Sequence, residues 1–395
     1  MAPKKLNVAL IGQGFMGRAH SNAWGQVVKF FKPPRIPVMH TVFGQPKEQP
    51  QDFADNWGWL NASTDWKQLI SCDEIDLVDI VTPNFMHAAM AEAAIAAGKN
   101  VSCEKPMSAT LKGAREMVAA ARKAKVKTFI WYNYRRCPAV ALAHRLVKQG
   151  KIGRIRHVRA SYLQQWADES VPLAWRFDKK LAGVGAHGDL NAHIIDMMRF
   201  VTGQEITEIC GAIAETFIKE RQLMAGAAAG GIAEGLKKSG KKGKVTVDDT
   251  VLFLARFNGG AVASFECARQ ATGNYNRNGF EINGSKGAIR FNFERMNELE
   301  YLDATAKRDV QGWTTLMCTH AGDHPYIEAW WPDAHPIGYE HTFINMAYDI
   351  LRVLAGKKPV VPIPDFADAY QTQRVLEAAM ISAREKQAVK LSLVK

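Results

Sequence analysis

The chain of 395 residues contains no apolar run near the roughly 20 residues that a membrane-spanning helix requires. A membrane partner is therefore not expected. Its opening residues, Met1-Ala2-Pro3-Lys4-Lys5, lack a hydrophobic signal stretch and lead straight into an apolar segment, so a cytoplasmic protein is expected. Cysteine is scarce: Cys72, Cys103, Cys137, Cys210, Cys267 and Cys318 stand far apart, without the paired spacing of a metal site. They read as reduced thiols, with no metal expected. No internal repeat is visible, which argues against a solenoid. Acidic residues are outnumbered, leaving a formal charge of +12. Nucleic-acid binding is one reading of that excess. However, Lys237, Lys238, Lys241, Lys242 and Lys244 share one glycine-rich stretch, residues 226–244. A solvated, flexible surface loop explains them more simply, and no nucleic-acid partner is expected.

What is present is ordinary globular composition, 47% hydrophobic and 23% charged, in a chain long enough for two domains. Residues 6–11 form an apolar strand pattern. Gly12-Gln13-Gly14-Phe15-Met16-Gly17 follows, and a helical pattern runs from Arg18. This is G-x-G-x-x-G between a strand and a helix. The first glycine allows the tight turn, the second lets backbone approach a pyrophosphate, and the third lets helix and strand pack closely. Amides at the helix start would receive the phosphates. Strand patterns at 38–43, 75–81, 101–103 and 127–132 alternate with helical ones at 88–97 and 108–125. That alternation predicts a doubly wound parallel sheet over residues 1–135. Glu104-Lys105-Pro106 follows one of these strands. A lysine at the carboxyl end of such a strand points into the crevice where cofactor and substrate meet.

Pro138 opens another helix, which Gly150 closes. Beyond it the texture changes. Strand patterns at 155–163, 206–218, 250–257, 261–267, 279–282 and 288–293 have few helices between them, and Asn258-Gly259-Gly260 signals a hairpin. Residues 136–395 are expected to form an α/β domain with a mostly antiparallel sheet and helices on one face. Closing helices at 340–354 and 366–386 could pack back on the first domain. Within this part, a glycine-rich approach, residues 183–188, precedes a helix expected over 189–202. Asp189, His193 and Asp196 would then share one helical face. A carboxylate one turn from a histidine can fix its tautomer and raise its basicity, which suits a proton acceptor near neutral pH. Duller readings exist for each: Asp189 as an N-cap, His193 as a core histidine, Asp196 as the partner of Arg199.

Taken together, Gly12, Gly14 and Gly17; Thr82-Pro83-Asn84 with His87; Glu104-Lys105-Pro106; Asn133-Tyr134-Arg135-Arg136 with Pro138; Asp189 with His193; and Gly284-Ser285-Lys286-Gly287 resemble the glucose–fructose oxidoreductase / inositol dehydrogenase (Gfo/Idh/MocA) family over almost the whole chain. Trp175-Arg176 and His335-Pro336-Ile337-Gly338-Tyr339 resemble members acting on sugars. The resemblance implies a Rossmann domain joined to an α/β domain with a large open sheet, and a homo-oligomer, dimer or tetramer. It implies hydride transfer between nicotinamide and a hydroxyl-bearing carbon of a sugar, anhydrosugar or cyclic polyol, with Lys105, Asp189 and His193 in the catalytic positions. The cofactor would lie along Gly12, Gly14, Phe15, Met16, Gly17, Gly44, Thr82, Pro83, Asn84, His87, Glu104, Lys105 and Asn133. Substrate would meet Lys105, Tyr134, Trp175, Arg176, Asp189, His193 and Tyr339. Trp166, Trp175, Trp313, Trp330 and Trp331 include possible sugar-stacking rings, although core packing accounts for most tryptophans. Asn191 departs from the glycine of many relatives. The second strand ends in Phe43-Gly44-Gln45-Pro46-Lys47, without the acidic residue that holds an NAD ribose. NAD and NADP both stay open: Lys47 leans to NADP, the relatives' catabolic role to NAD. Two other activities remain: cleavage of a glycosidic bond by transient oxidation on the same scaffold, and non-catalytic nucleotide sensing.

Overall fold

The computed structural model describes residues 3–224 and 238–395, which divide into two compact units. The first comprises residues 3–133 and Gly338–Tyr370. The second comprises residues 134–224, 238–337 and Gln371–Lys395.

The first unit alternates β1 (Lys4–Ile11), α1 (Phe15–Phe30), β2 (Arg35–Phe43), α2 (Pro50–Trp57), β3 (Asn61–Ser63), α3 (Trp66–Ser71), β4 (Leu77–Ile80), α4 (Asn84–Ala96), β5 (Asn100–Cys103), α5 (Leu111–Ala124) and β6 (Thr128–Ile130). The strands pair in parallel, in the order β3-β2-β1-β4-β5-β6. This is the dinucleotide-binding order, which reverses direction between β1 and β4. Val8, Ala9, Leu10 and Ile11 are fully buried, as a central strand covered on both faces requires. β2 starts three residues earlier than its apolar pattern, at Arg35, and includes Pro37. A proline is tolerated there because β3 reaches only Thr41 to Phe43.

The second unit opens with α6 (Pro138–Lys148) and β7 (Ile155–Leu163). It continues through α7 (Lys179–Ala182), one π-helical turn (His187–Asn191), α8 (Ala192–Thr202), β8 (Ile206–Glu215), β9 (Glu220–Met224), β10 (Lys238–Lys244), β11 (Thr250–Phe257), β12 (Val262–Ala268), β13 (Arg277–Gly284), β14 (Gly287–Asn292), β15 (Glu298–Asp303), β16 (Trp313–Met317) and α9 (Ile327–Trp330). α10 (Tyr339–Leu354) belongs to the first unit. The division then falls inside α11 (Phe366–Glu385), and β17 (Val389–Lys390) closes the chain. Nine strands form one sheet, ordered β16-β15-β14-β13-β7-β12-β11-β8-β17. Every neighbour is antiparallel except β7 and β12. α6 and α8 pack on one face of it. The hairpin expected at Asn258-Gly259-Gly260 joins β11 to β12, with Gly260 at φ +86° as such a turn needs.

Two expectations are corrected. The lysine-rich stretch is not loop throughout: Lys238–Lys244 is a strand antiparallel to Glu220–Met224. Lys241, Lys242 and Lys244 on it are solvated. Gly243 lets the ribbon lie close, since a Cβ there would stand 2.6 Å from a Leu173 methyl. The remainder of that stretch lies outside the described residues. The helix expected over 189–202 is regular only from Ala192. Its first turn is π-helical, so Asp189 is rotated from the position that α spacing assigns relative to His193.

Candidate active site

The nucleotide half is built at the carboxyl ends of the parallel strands. Gly12 follows β1 at φ +115°, and its amide donates to the Phe43 carbonyl at 3.0 Å. A Cβ at Gly17 would stand 2.5 Å from the Gly12 carbonyl oxygen, so only glycine lets α1 start there. A Cβ at Gly14 would meet nothing within 4 Å. The chain thus leaves open space on the side of Gly14 where a pyrophosphate would approach. The first turn of α1, carrying Phe15 and Met16, holds no acidic residue to oppose an anion. These features fit a dinucleotide. Gly44, at the end of β2, lies under the Gln13 side chain, which reaches the Glu48 carbonyl.

Thr82-Pro83-Asn84 links β4 to α4, with Asn84 as the first helical residue. His87 stitches this turn to the lysine segment: Nδ1 is 3.0 Å from the Pro106 carbonyl and Nε2 is 2.8 Å from that of Thr82. Burial pulls its pKa below the ordinary histidine value, against both carbonyls. A neutral imidazole has one N–H, so only one of these contacts is a donated bond at a time. Lys105 follows β5, preceding a cis bond to Pro106. Its amide donates to the Glu104 carboxylate at 3.0 Å. The other Glu104 oxygen is 3.1 Å from His20 Nε2, and His20 Nδ1 is 2.9 Å from Asp79. Asp79 also accepts from Trp24, Ser102 and Trp131 at 2.6 to 2.9 Å. This network is wholly interior. Burial disfavours the His20 cation, but Asp79 and Glu104 outweigh it and raise the pKa to about 9. Asn133 donates to the Thr342 hydroxyl at 2.7 Å. Tyr339, expected at the substrate, belongs to this unit, where its ring meets Phe343 edge-on at 5.0 Å.

The second unit holds the other residues. His193 is buried on α8, its ring 4.5 Å from that of Tyr134. The Tyr134 hydroxyl is 3.0 Å from that of Tyr162, which donates to Asn276 at 2.7 Å. Burial raises Tyr162 above the ordinary phenol value, so it stays a neutral donor. Asp189 pairs with Arg269 at 3.0 Å. The N-cap role considered for Asp189 is filled from elsewhere: the Asp248 carboxylate accepts the amides of Gly185 and His187, both at 2.7 Å. Asp196 accepts from Arg135 Nε at 2.8 Å, and Arg199 binds Glu205. Asn191 donates to His187 Nδ1 at 2.9 Å, and His187 Nε2 donates to the Leu376 carbonyl at 3.0 Å, which fixes a neutral tautomer. Burial keeps that imidazole below its ordinary pKa. The Arg176 guanidinium lies 4.4 Å over the Trp175 ring. Trp166 and Trp175 pack on a satellite core of Val171, Ala174, Phe177, Val245 and Val247. Trp330 is buried and Trp331 exposed. Trp313 lies under the Arg290 guanidinium, whose centre is 4.2 Å from the ring.

A parallel sheet of this strand order, with a glycine turn shaped for a pyrophosphate, defines a dinucleotide-dependent enzyme. Two family models match in succession: "Oxidoreductase family, NAD-binding Rossmann fold" over residues 6–132, and "GFO/IDH/MocA C-terminal domain" over residues 140–290. Levoglucosan dehydrogenase of Pseudarthrobacter phenanthrenivorans is 42% identical over 387 residues, 97% of each chain. A solved levoglucosan dehydrogenase, in complex with NADH and levoglucosan, shares 39% identity with a TM-score of 0.90, covering 98% of this chain and 100% of that one. An oxidoreductase domain protein from Kribbella flavida shares 43% at the same TM-score, covering 98% and 99%. The chain belongs to the GFO/IDH/MocA family and is an NAD-dependent oxidoreductase.

Proposed function

We propose that the protein oxidises a hydroxyl-bearing carbon of a sugar, with an anhydrosugar of the levoglucosan type as first choice. The observation that carries this reading is the full-length similarity to levoglucosan dehydrogenase, which takes in both units rather than the nucleotide half alone. Bound NAD supplies the hydride acceptor. The glycine turn of Gly12, Gly14 and Gly17 holds the dinucleotide, with Thr82-Pro83-Asn84 and Asn133 beside it. His193 takes the hydroxyl proton. Its Nδ1 is buried, which leaves Nε2 for that role. Lys105 carries the positive charge that favours negative charge developing on the same oxygen. Asp189 orients the hydroxyl and the imidazole, and Tyr134, Trp175, Arg176 and Tyr339 bind the rest of the sugar.

We further propose a dimer or tetramer formed through the face of the nine-stranded sheet opposite α6 and α8. Ile213 and Leu254 there are 59% and 57% exposed, among Arg159, Glu266, Arg277 and Glu281. A face carrying both apolar groups and both signs of charge can pair with a copy of itself.

The test is a steady-state panel of levoglucosan, monosaccharides and inositols with NAD or NADP, followed by the absorbance of reduced nicotinamide. Turnover with an anhydrosugar and NAD is expected. Sugar release without net reduction of NAD would instead indicate glycoside cleavage by transient oxidation. Turnover confined to inositols would overturn the sugar assignment.

A further inference from the structure

Arg269 stands just past the end of β12 and is 2% exposed. Its guanidinium reaches three places in the substrate unit at once. Nη2 is 3.0 Å from an Asp189 carboxylate oxygen and 2.9 Å from the Gly185 carbonyl, and Nη1 is 3.3 Å from the Arg176 carbonyl. Above it lies the Trp166 ring, with its centre 5.5 Å from the guanidinium carbon. The backbone of Arg269 is tied as well: its amide donates to Asp249 at 3.2 Å, and its carbonyl accepts from Ala167 at 3.1 Å. Gly185, Arg176 and Asp189 belong to the glycine-rich turn, the Trp175-Arg176 segment and the π-helical turn. The last two carry residues assigned above to substrate, Trp175, Arg176 and Asp189, and the glycine-rich turn leads directly into the π-helical one.

A buried charge needs a partner and satisfied N–H groups, because desolvation is otherwise severe. The Arg269 side chain is 3% exposed and that of Asp189 is 25%. The cation therefore sits behind the carboxylate, which faces outward. A planar fork of five N–H groups can fix a carboxylate and two carbonyls simultaneously. A lysine carries comparable charge but not that geometry. We propose that Arg269 is the positioning residue of the substrate half, which holds the Asp189 carboxylate in register with the Trp175-Arg176 segment for a substrate hydroxyl. The inference rests on the reading of Asp189 as a substrate-contacting group.

The test is a double-mutant cycle of Arg269→Met and Asp189→Asn, with kcat and KM measured separately. NAD affinity, followed by tryptophan fluorescence, and the unfolding midpoint serve as controls. Arg269→Met should lower kcat/KM for the sugar by about 100-fold, as a displaced catalytic group does, with NAD affinity unchanged. Arg269→Lys should recover part of that loss. Combined with Asp189→Asn, Arg269→Met should add little. If Arg269→Met does not fold, Arg269→Lys takes its place in the cycle. Fully additive losses would show that Arg269 does not act through Asp189 and overturn the inference. Wild-type turnover in Asp189→Asn would overturn the reading of Asp189 itself, and the inference with it; that result is distinct from additivity.

Discussion

At the scale of single residues, His20 is the most informative group. Both its ring nitrogens face carboxylate oxygens, which accept but cannot donate, so the geometry requires an imidazolium. Its folded-state pKa of about 9 lies above the ordinary 6.5. Its stabilisation is therefore complete below pH 6.5 and is lost as pH rises through about 9. Denaturant titrations at pH 7 and pH 10 should show the protein losing on the order of 3 kcal/mol from this group. A His20→Gln variant should be less stable at pH 7 and show a flatter profile. Equal pH slopes in the two proteins would count against a buried imidazolium. Lys105 acts at the opposite end of the same chain of contacts. Lys105→Ala should lower kcat by about 100-fold or more while NAD still binds, as read by stopped-flow turnover and fluorescence titration. The residues that hold the substrate half together were the least legible. Arg269 reaches Asp189 and Gly185 across 80 and 84 positions of sequence. A charged residue after an apolar strand looks like any strand end, and only the fold reveals its partners. Asp248 and Arg221 escaped notice in the same way. Arg221 is 1% exposed and donates to the Val171 and Ala167 carbonyls at 3.0 and 2.7 Å.

At the scale of elements, the glycine turn separates ligand binding from folding. Gly14→Ala adds a methyl where no atom lies within 4 Å, so the unfolding midpoint should hardly change while NAD affinity falls. Gly17→Ala places one 2.5 Å from the Gly12 carbonyl oxygen, so the midpoint should drop as well. Thermal melts with and without NAD check both. A parallel loss of stability in the two variants would refute the distinction. In the second unit, a Cβ at Gly185 would stand 1.9 Å from the Asp248 carbonyl oxygen. Gly185→Ala should therefore lower the midpoint and disturb the turn ahead of Asp189. Elements governed by local pattern were legible: β7 occupies the expected 155–163, and α10 begins one residue before the expected 340. Those made by pairing were not. β10 is Lys-Ser-Gly-Lys-Lys-Gly-Lys, without any apolar period, and exists because β9 offers a partner. β3, only three residues long, is too short to carry an alternating signal of its own, and β15 alternates only over Glu298–Tyr301 before Leu302 breaks the period. The π-helical turn was invisible because no residue type announces a fifth residue in a turn.

At the scale of the whole molecule, self-association and hydride transfer each have a direct measurement. Sedimentation velocity should give a mass of two or four chains, and Leu254→Glu, a charge placed on the open sheet face, should lower it. A monomeric parent protein would contradict the proposed use of that face. The central claim is that hydride passes from a sugar carbon to nicotinamide. Levoglucosan deuterated at its carbinol carbons, incubated with NAD and the enzyme, tests it most directly by mass spectrometry of the reduced cofactor. The account predicts NADH carrying one deuterium alongside an oxidised sugar. Consumption of the sugar with the label retained in its products, or no consumption at all, would contradict it.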